Sequence, residues 1–420
     1  MALTKLTKNL IDGNFGTEWV STIQTSNFTA EAAKGYFVNT TSQVLYVTLP
    51  VGVVGAEIVI QDYAGTFATN KVILTANGSE KIQGESDDSK CAIKNATVTL
   101  IYQDATRGWT ASNIELNTTT LTVDYLIVAG GASGGAAGGG AGGAGGLRTS
   151  YGTTSGGNVS SETSLSLVTG TNYPITIGAG GAGVSHPNGG NNGNNSLFST
   201  ITSLGGGAGG YGTVNGGNGG NGGSGGGANG SNSTGGNALT PTQGFKGGDK
   251  PVAGGGPTYA TAGGGGAGAA AANVTSQIDG SSTAGGVGLN VLILNYANAG
   301  TASVGEQNGG NAVYYAGGGG GSQESGSTFA AGGLGGGTAG AIGCPGTAPA
   351  AGTPNTGGGS GGTGGCGTAF SNAGGSGVVI IRYPNNLTVS GLAQASGSPF
   401  TEGTDKVSVF TSGTGNIQFN

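Results

Sequence analysis

A glycine pattern is the feature of this sequence that most resembles a cofactor-binding motif. Gly178–Gly183 reads GAGGAG directly after an apolar run, and this spacing matches the G-x-G-x-x-G fingerprint of dinucleotide-binding loops. That fingerprint needs a helix whose N-terminus faces the phosphates, whereas the residues that follow, VSHPNGGNNGNN, favour turns. Because a third of the surrounding residues are Gly, such matches arise by chance, and we predict no cofactor site.

Catalytic and metal-binding residue types are sparse and scattered. The only His, His186, stands beside Pro187 in a polar turn, and Asp249 lies between Lys246 and Lys250 in a predicted solvated turn. The carboxylates of residues 119–384 are widely separated: Asp124, Glu162, Asp249, Asp279, Glu306 and Glu324. A catalytic or metal site needs several such groups close together. The sequence therefore predicts no catalytic residues, no metal site and no enzymatic activity.

The three Cys residues do not form a disulfide framework. Cys344 and Cys366 share one Gly/Pro-rich section, which is compatible with a disulfide or with two unpaired small residues. Cys91 follows a charged turn and begins a predicted strand, so we interpret it as a packing residue.

Charge and hydropathy exclude two classes of partner. The net charge is −6 and the pI is about 4.7, which argues against an extended nucleic-acid-binding surface. No stretch approaches the roughly 18 uncharged apolar residues that a membrane helix requires. We therefore predict neither nucleic-acid binding nor membrane insertion.

Glycine is concentrated in the middle of the chain. Of 99 Gly residues, 85 lie among the 264 residues from 121 to 384. With only 11 Pro the chain is no collagen. Disorder is the alternative for so much Gly, but charged residues make up only 8% and strongly apolar runs interrupt the tracts. We expect the middle to be ordered.

Apolar strands lead into or out of the glycine tracts. Val123–Val128 enters the first tract, Tyr173–Ile177 enters GAGGAG, Val291–Tyr296 lies between two tracts, and Val378–Tyr383 follows the last one. Within the tracts, Gly139–Gly146 (GGAGGAGG) repeats with a period of three, as does GGNGGNGGSGGG at 216–227. A polyproline-II-type helix has three residues per turn, so two of its faces would carry no side chain. We predict packed polyglycine-II helices that hydrogen-bond to one another.

The termini have ordinary composition. Residues 1–118 alternate apolar and polar positions in predicted strands at Tyr36–Asn39, Val44–Leu49, Ala56–Gln61, Lys71–Thr75, Lys81–Gln83 and Thr97–Tyr102. At the other end, Lys406–Phe410 and Asn416–Phe419 predict a closing hairpin. The predicted fold class is all-β and helix-poor, with a β module at 1–118, a glycine-rich domain at 119–385 and a C-terminal hairpin segment at 386–420.

The N-terminal module resembles a module of virion structural and tail-fibre proteins from marine bacteriophages, including phages of cyanobacteria. The resemblance rests on FTAEAAKGYFVNTT (28–41), VTLP (47–50), DYAGTFATNKVILTANGSEKIQG (62–84) and TLIYQDATRGWTAS (99–112). It implies a small β domain in a fibre or appendage that contacts other virion proteins.

The middle resembles, in style, the glycine-rich region that follows a VDYLIVAGGG strand in phage fibres and adhesins. The tip adhesins of T-even-type long tail fibres pack polyglycine-II helices and bind receptors through loops at one end. The resemblance implies that the side-chain-bearing segments contact the receptor, which would be a host glycan or outer-membrane protein. Our candidate contacts are Tyr211, Phe245, Tyr259, Tyr314 and Tyr315.

These observations together favour a structural and adhesive component of a bacteriophage virion, such as a tail fibre or tail tip. The resemblance implies a homotrimer located in the virion after synthesis in the host cytoplasm. Two alternatives remain at this stage: a neck, collar or capsid decoration protein without receptor binding, and an ice-binding protein. The second expects regular Thr on one flat face and no virion-like N-terminal module.

Overall fold

The protein divides into two compact units in a computed structural model. The units are Met1–Thr119 and Thr120–Asn420. The structure describes residues 17–112, 114–116, 120–211, 217–252, 260–276, 281–325, 329–343, 348–365 and 370–420. About 30% of the chain is strand and 3% is helical, which confirms the prediction of an all-β, helix-poor fold.

The described residues of the first unit form ten strands. They are β1 (Glu18–Gln24), β2 (Phe28–Thr29), β3 (Lys34–Val38), β4 (Leu45–Thr48), β5 (Glu57–Asp62), β6 (Val72–Thr75), β7 (Ser89–Cys91), β8 (Thr97–Tyr102), β9 (Trp109–Thr110) and β10 (Glu115–Leu116).

These strands coil through two five-stranded sheets, ordered β1-β3-β5-β8-β9 and β10-β7-β6-β4-β2. The first six strands alternate between the sheets, so neighbours within a sheet are parallel: β1 with β3, β3 with β5, β2 with β4, and β4 with β6. Parallel strands require a crossover connection, which is usually a helix. Here each crossover is a strand of the opposite sheet, and no helix is needed.

The core of the first unit is made of apolar side chains between the two sheets. In β8 the buried residues Val98, Leu100 and Tyr102 alternate with exposed ones, as the sequence predicts. Trp109 is fully buried, whereas Trp19 is 41% exposed and stacks on Phe37. The predicted strand at Lys81–Gln83 is reduced to isolated bridges at Ile82.

The described residues of the second unit form fourteen strands, one short 3-10 turn at Gly156–Asn158 and one α-helix. The elements are β11 (Thr120–Val128), β12 (Leu147–Thr149), β13 (Leu165–Val168), β14 (Asn172–Thr176), β15 (Ser196–Phe198), β16 (Ile201–Ser203), β17 (Leu289–Asn290), α1 (Tyr296–Ala302), β18 (Glu306–Asn308), β19 (Ala312–Tyr315), β20 (Val378–Pro384), β21 (Val389–Gly391), β22 (Phe400–Glu402), β23 (Asp405–Phe410) and β24 (Thr414–Phe419).

A central sheet in this unit is buried on both faces. Its order is β12-β11-β20-β23-β22, with β13 also paired to β11. Val378 and Ile380 of β20 face α1 and the small sheet β17-β19-β18, whereas Val379 and Ile381 face the sheet β16-β15-β14-β24-β21. Burial of both faces explains why β20 is a continuous apolar run rather than an alternating one.

The strand predicted at Val291–Tyr296 is wrong. Strand β17 ends at Asn290, and α1 begins at Tyr296 instead. Asn295 is the N-cap of this helix, since its side-chain oxygen accepts the backbone N–H of Asn298 at 2.9 Å. Ser303, in the left-handed conformation, ends the helix. The capping side chain and the Ala-rich sequence that follows it therefore outweigh the apolar run.

The C-terminal segment contains a hairpin, but not between the predicted strands. Strand β23 pairs with β22 across a turn at Gly403 and Thr404. Strand β24, which was expected to pair with β23, lies in the other sheet between β14 and β21. The last strands thus close two sheets of the second unit rather than one separate hairpin.

The glycine tracts form a lattice of extended segments, of which residues 139–146 are the centre. Successive backbone N–H groups of this segment donate to three different neighbours in turn. Gly140, Ala141 and Gly142 donate to the carbonyls of Gly210, Ala262 and Ser360. Gly143, Ala144 and Gly145 donate to the carbonyls of Gly207, Gly265 and Gly357. Each acceptor advances or retreats by three residues per turn, which is the polyglycine-II pattern that the sequence predicts.

The carbonyls of the same segment accept from three further neighbours. Those of Gly140, Ala141 and Gly142 accept from the N–H groups of Gly135, Gly227 and Gly319. The segment is therefore surrounded by six others, as in hexagonal packing. Its third-position side chains, Ala141 and Ala144, are fully buried and fill the spaces between segments.

Only glycine permits this spacing at the remaining positions. A Cβ atom added to Gly142 would lie 2.2 Å from the carbonyl oxygen of Ala132, and one added to Gly145 would lie 2.0 Å from that of Ala129. Both distances are shorter than any van der Waals contact. The high glycine content is therefore a packing requirement of the lattice.

Candidate functional site

The lattice of the second unit has two unlike ends. Strand β11 ends at Val128, residues 129–136 run away from the sheets, and a reversal at Ala137 and Gly138 leads back through 139–146 into β12. The end that joins the strands is called the sheet end. The opposite end, where the segments reverse, is called the turn end.

Hydrogen bonds show that the described segment ends at the turn end lie together. The backbone N–H of Gly138 donates to Gly364, that of Gly365 to Gly343, and that of Gly343 to Gln323, at 2.8, 3.2 and 3.3 Å. The loop at 184–188 joins the same group. It accepts from the N–H of Ala136 through the Asn188 carbonyl and from the N–H of Ser371 through the Val184 carbonyl. Segment ends that are far apart in sequence thus lie side by side at the turn end.

Aromatic side chains mark this turn end. Phe329 and Phe370 are 62% and 60% exposed, and they stand directly before lattice segments that begin at Ala330 and Ser371. Tyr211 follows the segment that ends at Gly210, and its ring packs edge-on against His186 with centroids 5.7 Å apart. Loops on a rigid scaffold are common sites of recognition, and exposed aromatic rings supply contact area there.

The five candidate residues do not form one site. Tyr211 is half-buried at the turn end, whereas Tyr314 is half-buried on β19 at the sheet end. Phe245 is no loop residue, because its backbone donates to Gly266 and accepts from Gly225 inside the lattice. Tyr259 lies outside the described residues. The choice of Tyr315 is wrong, because β19 turns its ring into the core, where it is fully buried.

Phe329 and Phe370 were not among the sequence candidates. Each ends a short Ser/Thr-containing break in a glycine tract, GSTF and GTAF respectively. A bulky ring cannot occupy a lattice position that lacks room for a Cβ atom. A single aromatic residue in a glycine tract is therefore a signal for the periphery of the lattice, which is the turn end for Phe329 and Phe370 but not for Phe245.

Asparagines at every third position accept hydrogen bonds from backbone N–H groups at the edge of the lattice. The side-chain oxygens of Asn192 and Asn195 accept the backbone N–H groups of Ala208 and Gly205 at 2.8 and 2.9 Å. Asn218 and Asn221 accept those of Thr234 and Asn237 at 2.8 and 2.7 Å. All four asparagines are exposed. They take the place of a missing neighbouring segment where the lattice meets solvent, so the backbone donors there are still paired.

The residues that suggested chemistry have structural partners instead. In GAGGAG the N–H of Gly181 donates to the Gly131 carbonyl at 2.8 Å, so it is not available to a phosphate. Asp249 accepts from the N–H of Gly235 and from the Lys246 ammonium at 2.8 and 2.7 Å. Across the described ranges, no three His, Cys, Asp or Glu residues lie close enough to hold a metal ion.

The cysteines and the question of membrane insertion give two further observations. Cys91 is fully buried in the first unit, which confirms its interpretation as a packing residue, and burial raises the pKa of its thiol to about 12. Cys344 and Cys366 lie outside the described residues. In the described part of the chain, α1 and every other helical segment are too short or too polar to cross a membrane.

Comparison with known proteins identifies the family. Residues 106–384 match a family described as a glycine-rich domain. This match covers more than half of the chain, which therefore belongs to that family. The match includes every segment of the lattice and begins shortly before the second unit. None of the curated proteins matches the chain.

Proposed function

We propose that this protein is a non-enzymatic structural and adhesive component of a bacteriophage virion, in a tail fibre or tail tip. The observation that carries the proposal is that the two ends of the lattice differ. Its sheet end is fixed to three sheets, whereas its turn end brings together segment ends from distant parts of the chain. Such a scaffold displays loops without depending on their sequence for stability.

Rigidity is what makes the lattice suitable for adhesion. Each interior segment is held by backbone hydrogen bonds on all sides, so the described ends of the segments at the turn end are positioned before any partner arrives. Preorganised loops lose less conformational entropy on binding, which improves affinity. Exposed Phe329 and Phe370 supply apolar contact area, and we assign them, with Tyr211, to binding of a host glycan or outer-membrane protein.

The first unit has a separate role in this proposal. Its resemblance to modules of marine phage fibres supports attachment to other virion proteins. Tyr46 and Tyr63 are 48% and 55% exposed, which is suitable for a protein contact. Association as a homotrimer, the common state of such fibres, would place three copies of the turn end on one appendage.

Adsorption of particles that carry this chain tests the proposal. We expect the double substitution Phe329→Ala and Phe370→Ala to reduce adsorption to host cells strongly while leaving the melting temperature unchanged. Val287→Ala, which shortens another exposed apolar side chain, is the control. Normal adsorption of the double variant would instead support a neck, collar or capsid decoration role. Absence of the protein from purified particles would refute a virion role altogether.

A further inference from the structure

A groove at the sheet end of the second unit is separate from the turn end. It has a volume of about 450 Å³ and lies between the chain that follows β12 and the small sheet β17-β19-β18. Leu292, 42% exposed, also lines a second depression of about 390 Å³ that contains Tyr296. The two depressions are therefore adjacent and share one wall.

Both aromatic walls of the first depression are held in place. The Arg382 guanidinium lies 5.2 Å from the centroid of the Tyr151 ring and donates to its hydroxyl at 3.3 Å. Arg382 is itself fixed by Asp405 at 2.8 Å. On the other side, Tyr314 is the middle residue of a run whose neighbours, Val313 and Tyr315, are buried in the core. The Tyr151 ring and the backbone of Tyr314 are therefore fixed before a ligand binds.

The polar side chains of the groove are oriented and retain hydrogen-bonding capacity. The Asn290 oxygen accepts the N–H of Val313 at 3.0 Å, and the Asn158 amide nitrogen donates to the Gly268 carbonyl at 3.1 Å. An Asn side chain has two donors and two acceptor lone pairs, so each can also bond a ligand. The residues that line the two depressions are Gly, Ala, Val, Leu, Thr, Asn and Tyr, all of which are uncharged.

We propose that these depressions are adjacent subsites for a neutral oligosaccharide. Sugar rings pack their C–H faces on Tyr151 and Tyr314 in one subsite and on Tyr296 in the other. Sugar hydroxyls bond the amides of Asn158 and Asn290. An anionic sugar is disfavoured because no lining cation would offset the desolvation of its charge. An apolar peptide is disfavoured because it would leave these amides unpaired.

This inference rests on the proposed adhesive function and names the ligand class of a site that is distinct from the turn end. The test uses the full chain with maltohexaose, cellohexaose and mannohexaose as neutral probes and hexagalacturonate as the acidic one. Saturation-transfer NMR and calorimetry measure binding. We expect at least one neutral hexasaccharide to bind and the acidic one not to bind.

Variants locate the site. Tyr314→Ala should weaken binding by about tenfold, equivalent to about 1.4 kcal/mol. Tyr314→Phe keeps the ring and should retain the affinity. Leu292→Asp, at an exposed position between the subsites, should also weaken binding. Leu239→Asp, at a Leu that is 40% exposed and lines neither depression, is the matched control for Leu292→Asp and should change nothing. Melting temperatures verify that each variant is folded.

Two results would overturn the proposal: no neutral hexasaccharide binds, or Tyr314→Ala and Leu292→Asp both bind like the unmodified chain. Failure here and failure of the adhesive function are distinguishable. Oligosaccharide binding with the expected variant pattern, combined with normal adsorption of the turn-end variants, would retain the groove and reject adhesion through the turn end. Reduced adsorption of those variants without any sugar binding would retain adhesion through the turn end and reject the groove as a sugar site.

Discussion

The two units of this protein have different kinds of core: one is made of side chains and the other of backbone. The first unit buries large apolar side chains between two sheets, with Leu45, Ile58, Leu100 and Trp109 at the centre. The lattice of the second unit buries backbone, and its interior side chains are mostly absent or no larger than Ala. In the first unit, side-chain area removed from water provides the stability. In the lattice, close contact and hydrogen bonds between segments provide it.

The difference predicts how each unit responds to mutation. A side-chain core has a few large contributions, and removal of one leaves a cavity. The lattice is stabilised by many similar contacts and hydrogen bonds, and its segments leave no space between them. Addition of one atom is therefore the damaging change. Glycine loses more backbone entropy on folding than any other residue, so only a lattice with many simultaneous hydrogen bonds offsets the cost. We therefore expect the lattice to fold as one cooperative block.

The largest expected effect is that of one added methyl group at the lattice centre. Gly142→Ala places a Cβ atom 2.2 Å from the Ala132 oxygen, and the surrounding segments cannot move apart separately. We expect the thermal transition of the second unit to fall by many degrees or disappear. Gly309→Ala is the control, because nothing lies within 4 Å of an added Cβ there. Calorimetry separates this transition from that of the first unit.

The prediction also extends to Gly219→Val and Gly222→Val, whose Cβ atoms would lie 2.0 Å from the Gly226 oxygen and 2.2 Å from the Gly207 nitrogen. Both Trp residues belong to the first unit, so tryptophan fluorescence reports on that unit alone. It should stay unchanged in all these variants. Equal stability of Gly142→Ala and Gly309→Ala would contradict the lattice.

A smaller effect, with the opposite pattern, is expected from Leu100→Ala in the first unit. Removal of this fully buried side chain should cost about 2–5 kcal/mol. The cavity should lower the fluorescence-detected transition and leave that of the second unit in place. Cys91 provides an independent readout because its thiol is buried. In a Cys344→Ser and Cys366→Ser background, thiol labelling should accelerate with Leu100→Ala and not with Gly142→Ala.

Local patterns in the sequence predict much of this structure, and their limits have physical causes. The strand at Thr97–Tyr102 and the period-three tracts follow from side-chain spacing, which is a local property. The alternation of β1 to β6 between two sheets does not follow from side-chain spacing. A strand with one buried face has the same alternating pattern whether its neighbour is parallel or antiparallel, so the pattern does not identify the neighbour. The burial of Tyr315 beside the half-exposed Tyr314 likewise depends on which face of a three-stranded sheet meets the core.

The same limits apply to the candidate sites. The sequence predicts loops wherever aromatic residues interrupt glycine, which is wrong at Phe245. Phe245 enters the lattice through its backbone hydrogen bonds, while its side chain is only half-buried. The role of the period-three asparagines could not be read from sequence either. Composition does not show which segment lacks a neighbour.

The smallest expected effect is at the lattice edge, where side chain and backbone act together. Asn218→Ala removes the acceptor of the Thr234 N–H, and we expect a cost of about 1 kcal/mol because this edge is open to water. Asn218→Asp keeps an acceptor oxygen and should retain most of the stability. Amide exchange gives the sharper test: exchange at Thr234 should accelerate in the Ala variant, while residues 139–146 stay protected. Exchange across the whole segment at 139–146 would mean that edge and centre are one unit, and that asparagine capping is required for the lattice to form at all. Unchanged exchange at Thr234 would mean that water satisfies this donor equally well, and that the asparagines have no structural role there.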